Sequence, residues 1–264
     1  MGSETEARPT RRGRRLPVVA LVSYVVALLA WVALFGHVLP MPGQGSGMQM
    51  SDPGVPEAMA TSNGALGVAL YLLMWGTMMV AMMYPTSVPL FRLYAGTLTD
   101  AGTAKTVAGL GAFVGTYTVA WTLTGIVPLA VETVVPLARL DGTGRGLLVG
   151  GALLVLAGYQ LSPYKDRCLR RCRSPLGFLL EHYRPGVRGA VRTSWRFSVF
   201  CIGCCWALFA FMVVVGSMNL LWMAAIAVVL SLERAVSWGS LLARGVGVVA
   251  GVVGVAVVVA TLLA

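Results

Sequence analysis

Methionine is concentrated in one apolar segment of the chain, LMWGTMMVAMMYP. Met74, Met78 and Met82 recur every four residues, which places them along one face of a helix. Met79 and Met83 lie in the adjacent stripe. Thioether sulfur is a soft, uncharged ligand that suits Cu(I). The spacing therefore predicts a ladder of ligands for a soft monovalent ion, with gap filling between helices as the alternative.

The 5 cysteines form two clusters. Cys168 and Cys172 make a C-x3-C pair, and the segment CIGCC contributes Cys201, Cys204 and Cys205. In a helix, a spacing of four brings two sulfurs to one face. We predict thiolate metal ligands or redox thiols, with copper(I) the first choice and zinc left open, against small apolar packing residues as the alternative. Neighbouring arginines predict a lowered pKa for the two thiols of the C-x3-C pair.

A third group of sulfur atoms lies in a segment rich in Gly, Pro and Ser. Met48 and Met50 form an M-x-M pair there, which predicts a capture site for copper at the surface. Chance composition is the competing explanation for this pair. The surrounding loop, residues 40–64, is predicted to be flexible.

Long uncharged runs provide the elements that must position these side chains. The chain has 264 residues, of which 57% are hydrophobic and 11% charged, against about 25% charged in a soluble domain. Runs of this length in hydrocarbon must be helices, since every backbone amide needs an internal partner. We predict an all-α, polytopic transmembrane helix bundle of about seven spans, with a six-span version, in which one of the two helices within 197–233 is re-entrant, as the alternative. The spans are residues 16–39, 65–90, 106–131, 146–163, 197–215, 217–233 and 244–263, with a break at Gly216 and Ser217.

The basic residues give the predicted orientation. All of the 20 except Arg139 and Arg145 lie on one side of these spans, which the positive-inside rule makes cytosolic. We therefore predict a basic cytosolic tail over 1–15, a single transmembrane domain over 16–264, an outer loop over 40–64 and an inner loop over 164–196. Reducing conditions near the cysteines argue against structural disulfides. The predicted location is the inner (plasma) membrane, and the net charge of +10 needs no nucleic-acid partner.

Other residues support narrower predictions. Gly111/Gly115 and Gly247/Gly251 are pairs of small residues that predict close helix contacts. We expect Glu132 to be solvated at a helix end, and Glu233-Arg234 to form a pair at the membrane interface. Hydrolase, kinase and dinucleotide-binding motifs are absent from the sequence, which does not favour an enzyme.

Three segments together resemble a known family. MWGTMMVAMMYPTSVPL, GYQLSPYKDRCLRRCRSPLGFLL and CIGCCWALFAFMVVVGSMNLLWMAA follow in order within residues 65–235. They resemble a bacterial family of predicted metal-binding integral membrane proteins. The resemblance implies metal binding through the Met-rich helix and both cysteine clusters. The position before the second loop cysteine, often His in that family, is Arg171 here.

These observations favour a copper-handling membrane protein, either a Cu(I) permease or an accessory that delivers copper. Ligand exchange would carry the ion from Met48 and Met50 to the Met-rich helix, and thiolates would hold it more tightly. Its partners would be the lipid bilayer and a metallochaperone or membrane enzyme; the sequence does not give an oligomeric state. The alternatives are a membrane thiol or metal oxidoreductase and a structural or assembly subunit of a membrane complex.

Overall fold

A computed structural model describes residues 11–36, 38, 51–98 and 102–264 of the chain. Within these residues the regular structure is entirely helical, which confirms the predicted all-α class. Met48 and Met50, the predicted capture pair, lie outside the described residues.

The helices follow one another with short connections. In chain order they are α1 (Arg11–Phe35), α2 (Val55–Ser62), α3 (Gly64–Gly96), α4 (Thr103–Leu123), α5 (Ile126–Val134), α6 (Gly142–Gln160), α7 (Pro163–Arg173), α8 (Pro175–His182), α9 (Gly186–Gly216), α10 (Leu220–Ala235) and α11 (Gly239–Leu263). A single 3₁₀ turn, Leu137–Arg139, separates α5 from α6.

Six segments of the described chain are long and apolar enough to cross a membrane. They are Leu16–Phe35, Gly64–Gly96, Thr103–Val134, Gly142–Gln160, Gly186–Gly216 and Gly239–Leu263. The remaining predicted span, residues 217–233, corresponds to α10, which has 16 residues. A helix crossing hydrocarbon needs about 20, so α10 is short for a full span. The predicted break is present, since α9 ends at Gly216 with a φ of 119°.

The core of the bundle lies around α3 and α9. Helix α3 packs along α1 and α4, and it also contacts α2, α8 and α10. Helix α9 packs against α4, α6, α7 and α10. The Met-rich helix and the cysteine-bearing helix are therefore joined mainly through two common neighbours, α4 and α10.

Glycines bring α6 and α11 together along most of their length. A Cβ atom on Gly150 would lie 2.6 Å from Val258, and one on Gly247 would lie 2.9 Å from Gln160. The predicted close contact at Gly247 is therefore confirmed. The prediction for Gly111 and Gly115 is wrong, because a Cβ atom at either position would meet open space.

Short helices cover the two ends of the bundle. Helix α2 folds onto α3 and α5 within the loop that was predicted to be flexible, so that prediction is wrong for residues 51–63. At the other end, α7 and α8 lie in the predicted basic loop. Ser162 begins α7 by accepting a hydrogen bond from the Lys165 amide, with Pro163 at the first helical position.

Candidate metal centre

Four thiols converge inside the bundle. Cys201, Cys204 and Cys205 come from α9, and Cys172 comes from α7. The Sγ atoms of Cys172 and Cys204 are 3.5 Å apart, and those of Cys204 and Cys205 are 3.2 Å apart. All four side chains are buried and none forms a disulfide. This thiol cluster thus joins both predicted cysteine motifs across a sequence separation of about thirty residues.

A buried ion pair docks α7 so that Cys172 reaches the cluster. The Lys165 Nζ lies 2.7 Å from the carboxylate of Glu233 on α10, and both side chains are almost completely buried. It also donates a hydrogen bond of 2.8 Å to the carbonyl of Cys204. Gln160 donates to the second carboxylate oxygen of Glu233. Lys165 and Glu233 therefore each have two hydrogen-bond partners, and a buried ion pair is tolerated only when its members are satisfied in this way.

A guanidinium lies against the sulfur atoms. Nη2 of Arg234 is 3.0 Å from the Sγ of Cys201, 3.3 Å from that of Cys204 and 2.9 Å from that of Cys205. Nη1 donates a hydrogen bond of 2.8 Å to the Thr86 hydroxyl of α3. The Nε atom is enclosed and has no hydrogen-bond partner among the described residues. Arg234 thus links the Met-rich helix to the thiol cluster.

Aromatic and hydroxyl side chains close the cluster on the α4 side. The Tyr117 hydroxyl is 3.2 Å from the Sγ of Cys201 and 2.8 Å from the hydroxyl of Ser87. Both Tyr117 and Ser87 are buried. The polar atoms around the sulfurs therefore come from four helices, α3, α4, α9 and α10.

The fifth cysteine does not join the cluster. Cys168 is half-buried and lines a separate cavity of about 650 Å³. Its Sγ lies 3.8 Å from the position that a Cβ atom on Gly203 would occupy, so it remains next to the CIGCC segment. Arg167, Arg170 and Arg171 line the same cavity.

The predicted lowering of the pKa of the α7 thiols is wrong. Hydrogen bonds to Cys201 and Cys204, together with burial, raise the pKa of Cys172 well above its usual value. Burial also raises the pKa of Cys168. Arg167, Arg170 and Arg171 face outward and are exposed, so solvent screens their charges, whereas burial removes the thiols from solvent and disfavours the thiolate form.

The methionines of α3 are buried in the same core as the thiols. Met74, Met78, Met79, Met82 and Met83 are each at most 3% exposed. They form one continuous buried cluster with the four thiols. The Thr86 hydroxyl accepts a hydrogen bond from Arg234 and donates one to the carbonyl of Met83. One hydroxyl group therefore connects the guanidinium to the Met83 end of these five methionines, which we call the Met stripe.

A cavity borders the thiol cluster at Cys172 and Arg234. Its volume is about 500 Å³, and Thr86, Cys172 and Arg234 line it. Arg173 lies in its wall, where it donates hydrogen bonds to the carbonyls of Val236 and Ser237. The thiol cluster therefore borders a space large enough for a small ion at Cys172, while its other three cysteines lie behind that residue and Arg234.

The described residues contain no preformed cage of three or more His, Cys, Asp or Glu side chains for a metal ion. The position of Arg234 gives a physical reason, since its guanidinium nitrogen stands about 3 Å from three of the sulfurs. A metal ion that binds these sulfurs would have to replace some of their contacts with the guanidinium.

Several of these residues were missed or misread in the sequence. The expected pairing of Glu233 with Arg234 is wrong, because Glu233 pairs with Lys165 and Arg234 with the thiols. Glu132 is buried rather than solvated, and it accepts a hydrogen bond from the Leu137 amide. A charged residue at the end of an apolar run was the available signal, since such residues in membrane helices tend to face a protein interior.

A second buried polar site lies at the opposite end of the bundle. Glu57 of α2 accepts hydrogen bonds from Tyr71 at 2.7 Å and from Ser217 at 2.6 Å, both at Oε1. Its Oε2 atom has no partner among the described residues. Burial raises the pKa of Glu57. This Glu57 site has only oxygen atoms in its polar contacts.

Comparison with known proteins supplies the family. Residues 72–257 match the sequence profile of PpoB2, described as a copper chaperone. The chain belongs to the PpoB2 copper chaperone family. The matched region runs from α3 into α11 and contains the Met stripe, the thiol cluster and Arg234. It supports the predicted link to copper. None of the curated proteins and none of the solved structures matches the chain.

Proposed function

We propose that this member of the copper chaperone family binds Cu(I) at its thiol cluster and exchanges the ion with the Met stripe. One observation carries the proposal: four thiols from α7 and α9 meet in a core that also contains the five methionines of the Met-rich segment of α3. Thiolate and thioether sulfurs are the soft ligands that favour Cu(I) over harder divalent ions. Zinc remains the competing metal at the thiolates.

Binding would convert thiols to thiolates. A thiol loses its proton when it coordinates a metal, so loading of the cluster releases protons and becomes weaker as the pH falls. The Met stripe needs no such step, because thioethers are neutral with or without a metal. Thioethers of α3 would therefore hold the ion loosely and thiolates of α7 and α9 would hold it tightly.

The proposed orientation places the thiol cluster near the cytosolic face of the inner membrane. Support comes from the arginines of α7, which are exposed at that end of the bundle. The N-terminus would then be cytosolic, and Met48 and Met50 would capture copper on the opposite side. Cys168 would exchange the ion with a metallochaperone or membrane enzyme, and its half-buried position in a cavity lined by arginines supports this role.

The test is a Cu(I) titration of the full chain in nanodiscs under anaerobic conditions, with a chromophoric chelator as competitor. We expect Met78→Leu with Met82→Leu to weaken binding or slow exchange, and Cys201→Ser with Cys204→Ser to abolish tight binding. Met223→Leu is the matched control, because Met223 is equally buried but lies on α10. Unchanged Cu(I) binding in the cysteine double variant would refute the proposal.

A thiol oxidoreductase is the second candidate, since the Sγ atoms of Cys172 and Cys204 are 3.5 Å apart. This activity requires the two thiols to form a disulfide reversibly by giving two electrons and two protons to an acceptor such as a quinone. Alkylation with a mass tag before and after mild oxidation separates the candidates. A Cys172–Cys204 crosslink favours the oxidoreductase, and thiols that Cu(I) protects from alkylation favour copper handling.

A further inference from the structure

We infer that Arg234 is a specificity-determining residue, which makes the thiol cluster select a monovalent soft cation over a divalent one. The inference rests on the proposed function, because it requires the cluster to bind a metal ion. It goes beyond that function by assigning the choice of ion charge to one side chain that is not itself a ligand.

The geometry makes Arg234 a fixed positive charge beside the ligands. Its Nη2 atom contacts three sulfurs within 3.3 Å. The Thr86 hydroxyl holds Nη1 from the other side. A guanidinium stays protonated at any physiological pH, so this charge does not disappear when the thiols ionise.

The other charges close to the cluster cancel. Lys165 and Glu233 form a pair with a 2.7 Å contact, and both are almost completely buried. Arg173 lies farther out in the cavity wall, where it is partly exposed and bonded to backbone carbonyls. Arg234 is therefore the cation that contacts the sulfurs directly and has no carboxylate partner of its own among the ion pairs of the described residues.

Charge balance then discriminates between ions. Two thiolates, Arg234 and one monovalent ion sum to zero, whereas a divalent ion in the same place is neutralised only if a third buried thiol also loses its proton. Without Arg234 the divalent ion would give the neutral site. Charges a few ångströms apart in a partly desolvated site interact far more strongly than in water, so this difference favours the monovalent ion.

The cavity beside the cluster gives the guanidinium room to accommodate the ion. Arg234 is partly exposed to this space of about 500 Å³, which Thr86 and Ser231 also line. Its enclosed Nε–H lacks a partner, and a buried donor without a partner is unfavourable. A small shift into the cavity would free the sulfurs for the ion while the positive charge stays close to them.

The experiment compares Ag(I), as the monovalent probe, with Cd(II), as the divalent probe, on the full chain in nanodiscs. Competition titrations give the ratio of the two affinities for the wild type, Arg234→Met and Arg234→Lys. We expect the ratio to shift towards Cd(II) by about tenfold or more in Arg234→Met. Arg234→Lys supplies an amine that can carry the charge but lacks the planar fork, so the ratio should shift towards Cd(II) less than in Arg234→Met.

A second variant keeps the test decisive if Arg234→Met does not fold. Thr86→Val removes the hydroxyl that holds Nη1 but keeps the side-chain shape, and we expect a smaller shift towards Cd(II). An unchanged ratio in the variants that fold, with both ions still bound at the thiols, would overturn the inference and leave the proposed function standing. Failure of the wild type to bind either ion through its thiols would overturn both.

Discussion

The two ends of the bundle each bury an ionisable side chain under a short helix, but they surround it with different atoms. At one end, α7 brings Cys172 to three thiols of α9 and a guanidinium. At the other, α2 inserts Glu57 between two hydroxyl groups. Both arrangements fix a short helix to the long ones.

The difference shows which end is suited to bind a soft metal. The thiol cluster combines soft ligands, a cation and a cavity that borders Cys172. The Glu57 site has hard oxygen atoms, one of which has no partner. Oxygen ligands suit ions such as Mg²⁺ and Ca²⁺ rather than Cu(I). We therefore regard the Glu57 site as an anchor for α2, and four predictions can break or sharpen this contrast.

The largest expected effect concerns the ion pair that supports the thiol end. Lys165→Met leaves the Glu233 carboxylate buried with only Gln160 as a partner. Removing one member of a buried pair costs about 3–5 kcal/mol. Thermal unfolding in detergent should show this loss, and Lys165→Met with Glu233→Gln should recover much of it. Wild-type stability in the single variant would contradict the contacts described for α7.

The second largest effect is expected on the affinity of the protein for Cu(I). Cys172→Ser removes the ligand that α7 contributes, and we expect a fall of about 10–100-fold in Cu(I) affinity by chelator competition. Glu57→Gln serves as the matched control at the opposite end and should bind Cu(I) like the wild type. If Glu57→Gln weakened copper binding as much as Cys172→Ser, the two ends would not differ in function as argued.

The third prediction concerns pH at the Glu57 site. Burial raises the pKa of Glu57 above its usual value of 4.5, so the folded state favours the protonated carboxyl. The resulting stability is complete below the usual pKa and is lost as the pH rises through the raised one. Unfolding temperatures measured against pH should fall in this window for the wild type relative to Glu57→Gln. A constant difference between the two proteins would contradict the assignment.

The smallest effect is expected from Tyr71→Phe. The variant loses one hydrogen bond to Glu57, while Ser217 still donates to the same oxygen. A single bond of this kind contributes about 0.5–1.5 kcal/mol. Thermal unfolding should register a shift smaller than that of Lys165→Met. A shift as large would mean that the two ends are equally important for stability.

The sequence predicted the elements and the local spacing well. Periodicity placed Met74, Met78 and Met82 along one face of a helix, because helical geometry is determined within one or two turns, and all three lie on α3. Periodicity also predicted that Cys201 and Cys205 share one face of a helix, and both sulfurs contact the same guanidinium nitrogen of Arg234. Uncharged runs predicted the long helices because backbone amides in hydrocarbon need internal hydrogen-bond partners.

Contacts between residues far apart in the sequence could not be predicted from local spacing. Lys165 and Glu233 are 68 positions apart, and Arg234 and Thr86 are 148 apart. Their pairing depends on how the helices pack, which no local pattern encodes. The pKa of Cys172 was misjudged for the same reason, because the neighbouring arginines in sequence face outward while the partners in space are other thiols.

The central claim is that sulfur atoms of the thiol cluster hold the copper ion. X-ray absorption at the copper edge of the Cu(I)-loaded full chain tests it most directly, with Cys201→Ser/Cys204→Ser measured beside it. We predict a first shell made only of sulfur in the wild type, and its loss or replacement in the variant. Oxygen or nitrogen ligands in the wild type, or an identical spectrum in the variant, would contradict the account.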